Sequence, residues 1–376
     1  MPKIARCCVN KTIELNLGNK NMYKKIFVGL SGGVDSSVAA ARLVHAGYRV
    51  VGVFIKVWQP AFLHCNWEKE RLDAMRVCAV LGIPFLTCDA TERYKAEVVD
   101  YLISEYKAGR TPNPDVMCNK QVKFGAFLEF ADSHGADYIA TGHYAQRIDK
   151  DGQPWLFRGA DPAKDQSYFL WTLTQEKLAR TLFPIGDSLK VDIRKEAASY
   201  DLPTADKPDS QGICFLGALD MKEFLMHFIP QRVGKVEDVF GATVGEHDGA
   251  VFYTIGQRHG FRLHQTSPTE EPYYVVGKNI DKNILVVSHE KPTTSTSAQS
   301  ALVLSDTNWI GNPPNGSVAI QTRYRQTPVT ATIAITDPAT AIVTPLEALE
   351  SPALGQSCVV YDGEMCLGGG IISQLS

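Results

Sequence analysis

The segment Ser31-Gly32-Gly33-Val34-Asp35-Ser36-Ser37 combines two glycines, hydroxyls and an acid between an apolar run, 25–30, and an alanine-rich stretch, 38–44. It reads as a strand, a turn and the first turn of a helix. The glycines let the backbone approach an anion closely and take positive φ. The hydroxyls and N–H groups at the helix start then face that anion, helped by the helix dipole. No Gly-Lys-Ser/Thr follows at the required spacing, so this is not a Walker A loop. Asp35 stands where the Walker lysine is expected, which suits a magnesium ion beside the phosphates. A serine-capped turn is the plain alternative for any glycine pair in such a place.

The heptapeptide as a whole resembles the PP-loop of the ATP pyrophosphatases, Ser-Gly-Gly-x-Asp-Ser. That resemblance implies cleavage of ATP between the α- and β-phosphates and adenylation of a substrate oxygen, which becomes a leaving group. It leaves the substrate open.

Two cysteines bring a second chemistry. Cys118 lies in a loop with Pro112, Pro114 and Asn113, and Cys214 in a loop with Pro208 and Gly212. The pattern predicts that Cys118 sits just before a helix starting around Asn119. The helix N-terminus, Lys120 and Lys123 would then favour thiolate. Taken singly, each cysteine also reads as a buried small hydrophobe. Taken together beside an ATP-activating loop, they suit replacement of C=O by C=S. One would carry a persulfide and the other would cleave the S–S bond.

These residues need a scaffold, and the 376-residue chain is long enough for two or three domains. Its 44% hydrophobic and 21% charged residues are those of a soluble globular protein. Neither a bilayer-spanning apolar segment nor a secretory h-region is evident, so a cytoplasmic location without membrane contact is expected. Residues 1–21 read as an unmatched polar extension. The net charge of −3 argues against nucleic acid only as an average, because a local basic strip can still neutralise phosphates. Nine cysteines without a Cys-x-x-Cys pair remove the usual zinc-ribbon spacing. Neither zinc nor an iron–sulfur cluster is expected, and most of the thiols should be buried and inert.

The expected fold class is α/β. Strands at 50–56, 84–89 and 137–143 alternate with helices at 66–81, 92–107 and 120–134, implying a parallel sheet covered on both faces. Ligands of such sheets lie beyond the carboxyl ends of the strands, so the loop after Leu30, the segment after Asp89 and Thr141-Gly142-His143 should converge. The division read from the chain is a PP-loop catalytic domain at 22–217, with helices near 165–182 and 192–200, and a small mixed or β central domain at 218–290. A polar linker at 291–299 and a C-terminal β-barrel at 300–376 follow.

Seven motifs resemble the tRNA-specific 2-thiouridylase family, in order and from about Lys24 to the C-terminus. They are 29–36, 113–118, 141–144, 164–166, 209–215, 253–258 and 323–325. The resemblance implies an adenine nucleotide α-hydrolase-like fold and a sulfurtransferase acting at carbon 2 of the wobble uridine in tRNAs for Lys, Glu and Gln. It implies ATP binding by Gly29, Leu30, Ser31, Gly32, Gly33, Val34, Asp35 and Ser36, with Ile55 and Gly142, and magnesium at Asp35. Asn113, Pro114 and Asp115 would meet the target base, Asp115 as acid/base. Lys164, Asp165, Gln166, Arg323 and Tyr324 would contact tRNA. Cys214 would carry the persulfide and Cys118 resolve it, through a transient disulfide. A cysteine desulfurase or sulfur-relay protein would supply the sulfur.

Alternation along a strand would put Arg323 and Arg325 on one face and Tyr324 on the other, a basic strip for phosphates. The stretch after Arg258 lacks the family's usual glycine-rich continuation, which leaves the central domain's RNA contacts open. A PP-loop amidating ligase and a nucleotide-regulated RNA-binding protein are the competing readings.

Overall fold

The computed structural model describes residues 24–62, 67–209, 220–264, 271–292, 301–350 and 352–375. Cys214, its loop and the N-terminal extension lie outside the described residues. Strands β1 (Lys25–Gly29), β2 (Arg49–Lys56), β3 (Phe85–Asp89) and β4 (Tyr138–Ala140) precede a hairpin, β5 (Ala145–Lys150) and β6 (Gln153–Arg158), and the short β7 (Thr181–Leu182). A wholly parallel sheet runs β3-β2-β1-β4-β7. The period of two along β1 decides its packing. Ile26 and Val28 join Ala40, Leu43, Ala74 and Cys78 on one face, against helices α1 (Val34–His45) and α2 (Trp67–Leu81). Phe27 joins Phe124, Phe127 and Ala131 on the other.

Three expected helices differ in form. Residues 114–133 make a helix kinked at Phe124 (φ −110°, ψ 17°) and capped by Asn113, whose Oδ1 accepts from the backbone N–H groups of Asp115 (3.1 Å) and Val116 (3.2 Å). Pro114 occupies the first helical position, where its missing N–H costs nothing. The helix is π-helical over Asn119–Ala126, as is the 91–107 helix over Lys95–Asp100. The expected helix at 165–182 is instead a single 3₁₀ turn at Ser167–Leu170, a short helix Gln175–Ala179 and β7.

A smaller sheet contains β8 (Gly234–Asp238), β9 (Thr243–His247), β10 (Arg262–Leu263), β11 (Tyr274–Asn279) and β12 (Ile284–Ser288), ordered β10-β9-β8-β12-β11. Its core is continuous with the 91–107 helix: Tyr94, Val98, Leu102 and Tyr106 pack with Phe224, Val236, Tyr253, Val275 and Leu285. The C-terminal strands are β13 (Leu302–Trp309), β14 (Gly316–Gln321), β15 (Val329–Asp337), β16 (Thr340–Pro345), β17 (Ser357–Asp362) and β18 (Met365–Leu375). They run β13-β16-β15-β14-β17-β18 and close through β13–β18, a six-stranded barrel. Strand β18 also pairs with β6, Met365 opposite Phe157 and Cys366 opposite Leu156. The β5–β6 hairpin of the first body therefore extends the barrel's sheet.

Candidate active site

The PP-loop lies between the end of β1 and the start of α1, at the point where strand order reverses. Leu30 N–H bonds the Val53 carbonyl at 2.8 Å, anchoring the loop to β2. Ser36 Oγ accepts from the Ser31 N–H and lies 3.2 Å from Ser31 Oγ, and Ser37 Oγ donates to the Gly33 carbonyl at 2.7 Å. Gly32 has φ +73° and turns its α-carbon against the backbone of Glu70, so both its conformation and its neighbour exclude a side chain.

Beside the loop stands the tip of β4. A β-carbon on Gly142 would fall 2.6 Å from the Ser36 backbone nitrogen. His143 is buried, its Nδ1 2.7 Å from Thr141 Oγ1 and its Nε2 3.4 Å from Lys123 Nζ. Desolvation, with Lys123 adding to it, holds the imidazole well below its ordinary pKa. With Nε2 facing an ammonium, the neutral ring accepts there and donates from Nδ1. Ile55, the penultimate residue of β2, comes within 3.6 Å of where a Gly29 β-carbon would stand, so Gly29, Ile55 and Gly142 share this end of the sheet.

Lys123 is on the 114–133 helix, which also carries Asp115 and Cys118. Burial raises the Asp115 carboxyl pKa, with Lys123 opposing. Cys118 does not precede the helix as expected. It lies in the second turn, buried with Val122 against the core shared with the central sheet. The dipole argument for its thiolate loses force there, since that effect falls off within the first turn. Of the remaining cysteines, burial pushes Cys78, Cys358 and Cys366 up to about 12 and Cys88 up to about 11, which suits inert thiols.

Asp35 is not presented as an open metal ligand. Lys190 Nζ bonds its Oδ1 at 2.7 Å and Oδ2 at 2.8 Å, and Tyr144 Oη donates to Oδ1 at 2.7 Å. Among the described residues there is no group of three or more His, Cys, Asp or Glu that could hold a metal. Lys190 was not legible in the sequence. It opens the helix Lys190–Ser199, and no local pattern marks its pairing across 155 positions.

The expected RNA contacts are placed unevenly. Lys164 pairs with Asp209 at 2.7 Å. Asp165 is buried and saturated by Arg158, Gly159 N–H and both donors of Ser167, a structural hub rather than an open acceptor. Gln166 exchanges bonds with the Tyr144 backbone. Arg323, Tyr324 and Arg325 lie in the turn after β14, Arg325 at φ +63°, so strand alternation does not describe them. Arg323 Nη2 donates to the Ile255 carbonyl at 2.8 Å, joining barrel to central sheet. The Tyr324 ring packs 4.5 Å from Phe169. A cavity of about 470 Å³ lies away from the PP-loop, between Ala108, Ile255, Lys278 and Leu354.

A parallel sheet with a Ser-Gly-Gly-x-Asp-Ser loop at its switch point defines the PP-loop class of ATP-using enzymes. Family models match throughout: a tRNA methyl transferase HUP domain at 24–218, a tRNA methyl transferase PRC-barrel domain at 222–289 and an aminomethyltransferase beta-barrel domain at 299–372. The tRNA-specific 2-thiouridylases MnmA of Shigella boydii serotype 4 and of Escherichia coli are each 46% identical over 360 residues, 93% of this chain and 97% of theirs. The chain belongs to the tRNA-specific 2-thiouridylase family, ATP-using sulfurtransferases that act on tRNA. Among solved structures, a 4-thiouridine synthetase–RNA complex with bound ATP aligns over 49% of this chain and 43% of that one, at 20% identity and a TM-score of 0.33, too low to carry weight. No described helix is long and apolar enough to cross a membrane.

Proposed function

We propose that this enzyme adenylates the carbon-2 oxygen of the wobble uridine in tRNAs of the Lys, Glu and Gln type and replaces that oxygen with sulfur. The observation that carries this reading is the meeting of Ser36 and Gly142 at the sheet end, with Lys123 linking His143 to the helix of Asp115 and Cys118. The uridine oxygen attacks the α-phosphorus and pyrophosphate leaves with the bonding electron pair. The terminal sulfur of a Cys214 persulfide then attacks carbon 2, and AMP departs with the original oxygen. Cys118 attacks the Cys214 sulfur, freeing 2-thiouridine and leaving a disulfide for an external thiol to reduce.

Asn113, Pro114 and Asp115 would meet the base, Asp115 moving its proton. Burial suits it to that task, since its carboxyl holds a proton more readily than a solvated one. Magnesium would enter with the phosphates and screen their charge, and Asp35 could serve it only after releasing Lys190. In this reading the bodies at 22–217, 218–290 and 300–376 divide the work between activation, support and tRNA grip, with Arg323 and Tyr324 of the barrel and Lys164 of the first body meeting the tRNA. The sulfur donor is a cysteine desulfurase or a sulfur-relay protein, sulfur passes without an iron–sulfur cluster, and the setting is cytoplasmic.

The test is mass spectrometry of the wobble nucleoside after incubation with ATP, unmodified tRNA and a persulfide donor, using an iron-free preparation. Wild type should yield 2-thiouridine with AMP and pyrophosphate. Cys118→Ser and Cys214→Ser should yield none while still binding ATP. Amidated base from an unimpaired Cys214→Ser variant would support the ligase instead, and absence of AMP would leave only an RNA-binding role.

A further inference from the structure

The cavity of about 470 Å³ is walled by all three bodies: Ala108 and Thr111 from the first, Val276, Lys278 and Ile280 from the central one, and Leu354 from the barrel. Its size and mostly apolar wall are those of a small-molecule site, for which about 300–1,000 Å³ is usual. Alternation along β11 buries Val275 in the core and turns Val276 and Lys278 to the cavity. Among the described residues Lys278 is the one charged group on the wall. Its Nζ donates to the Tyr253 carbonyl at 2.7 Å, and no carboxylate among the described residues pairs with it. Burial holds its pKa down to about 8, with no acid opposing. A half-buried ammonium bonded to one carbonyl keeps a charge and two donors unanswered. The cavity also backs on to the segment that leads into the helix of Asp115 and Cys118. Thr111 N–H donates to the Leu354 carbonyl at 2.8 Å, Gln356 Nε2 donates to the Thr111 carbonyl at 2.8 Å, and Thr111 Oγ1 lies 3.2 Å from Thr254 Oγ1. Two residues further on, Asn113 caps that helix.

We propose that this cavity binds a small monoanion with an apolar body, a carboxylate on a short aliphatic or aromatic frame. Lys278 takes the carboxylate, and the walls at Val276, Ile280 and Leu354 take the apolar body. The charge-assisted bond supplies the counter-anion that the fold leaves out, and water displaced from the apolar wall adds to affinity. A free phosphate offers these walls no apolar surface, and a neutral hydrocarbon leaves the ammonium unanswered. The segment that follows Pro292 does not match the cavity either, since Thr293 to Ser300 holds neither an acid nor a large apolar side chain. Thr111 belongs both to the wall and to the ties between bodies, so an occupant braces the segment that ends in the Asn113 cap. The site is separate from the PP-loop and stands or falls apart from thiolation.

Octanoate and octanol share an apolar body and differ in charge, so the pair separates the two halves of the site. In calorimetric titration of the full chain at neutral pH, wild type should bind octanoate about tenfold more tightly than octanol. Lys278→Met, which keeps an unbranched side chain without the charge, should bind both alike. Ala108→Trp, at an exposed place on the wall, should weaken both. Octanoate should also raise the melting temperature of wild type, as any ligand of the folded state does. Melting without ligand identifies a variant that is unfolded, and Ala108→Trp keeps the test open should Lys278→Met be one. No octanoate binding by wild type, an undiminished preference for octanoate in folded Lys278→Met, or full binding by folded Ala108→Trp would each overturn the proposal. Inorganic phosphate that binds as tightly as octanoate would do so too, leaving a plain anion seat without use for the apolar wall.

Discussion

Gly142 and Ser36 are in backbone contact: a β-carbon on the glycine would stand 2.6 Å from the serine's nitrogen. The tip of β4 and the start of α1 therefore share one wall, and nothing larger than hydrogen fits between them. Gly142→Ala should push the PP-loop away from its β2 anchor, at an overpacking cost of about 1–3 kcal/mol. The expected outcome is a large loss of ATP affinity in equilibrium binding with the chain still folded. Wild-type ATP affinity in that variant would show that the two loops move independently.

Asp115 should behave as a group that stability would rather keep neutral. Burial raises its folded pKa, so its ionisation opposes folding at any pH above the ordinary carboxylate range, and the penalty fades as pH falls. Asp115→Asn should melt no lower than wild type at neutral pH, with the difference shrinking in acid, while thiolation is lost. A variant that melts several degrees lower yet still thiolates would assign Asp115 to stabilising the first turn of the helix alone.

The sign is opposite for His143. Its folded pKa is depressed, so the neutral ring contributes stability above its unfolded pKa of about 6.5, and that contribution is lost as pH falls below it. The loss runs at up to about 1.4 kcal/mol per pH unit. Urea unfolding of wild type and His143→Asn at about pH 7.5 and about pH 5.5 should show the smaller acid sensitivity in the variant. Equal slopes would mean that the ring already carries its proton in the fold.

Arg323 ties the barrel to the central sheet through Ile255, and a phosphate contact would be a second duty. Measured as tRNA affinity against salt, Arg323→Ala should weaken binding and reduce the slope by about one phosphate's worth of released counterions. A lower melting temperature with an unaltered slope would leave only the structural tie.

The sheet and its loop were legible because both are local. Strand periodicity placed β1 to β3 to within a residue or so, and the glycine–serine loop announced the switch point before any pairing was known. The β5–β6 hairpin was overlooked because Gln153–Arg158 carries a proline and no clean alternation. Strand β18 was missed because Gly368, Gly369 and Gly370 read as a break. In the barrel they permit contact at the seam, a Gly370 β-carbon falling 2.9 Å from Leu304 Cβ. The motifs located Lys164 and Asp209, but their pairing with each other, and Lys190 entirely, depend on contacts across the chain that no spacing rule encodes. Cys118 was misplaced by a turn because Pro112 and Pro114 read as loop, whereas Pro114 begins the helix.

Through Met365 and Cys366, β18 leans on Leu156 and Phe157, so the C-terminal barrel shares its sheet with the body that holds the PP-loop. The three stretches matched by separate family models are consequently not interchangeable parts. A barrel grafted from a distant relative would have to bring an edge that β6 accepts, or leave both partners with an uncovered strand. The lineage is therefore expected to inherit this joint as a unit, with variation pushed to loops that do not cross it.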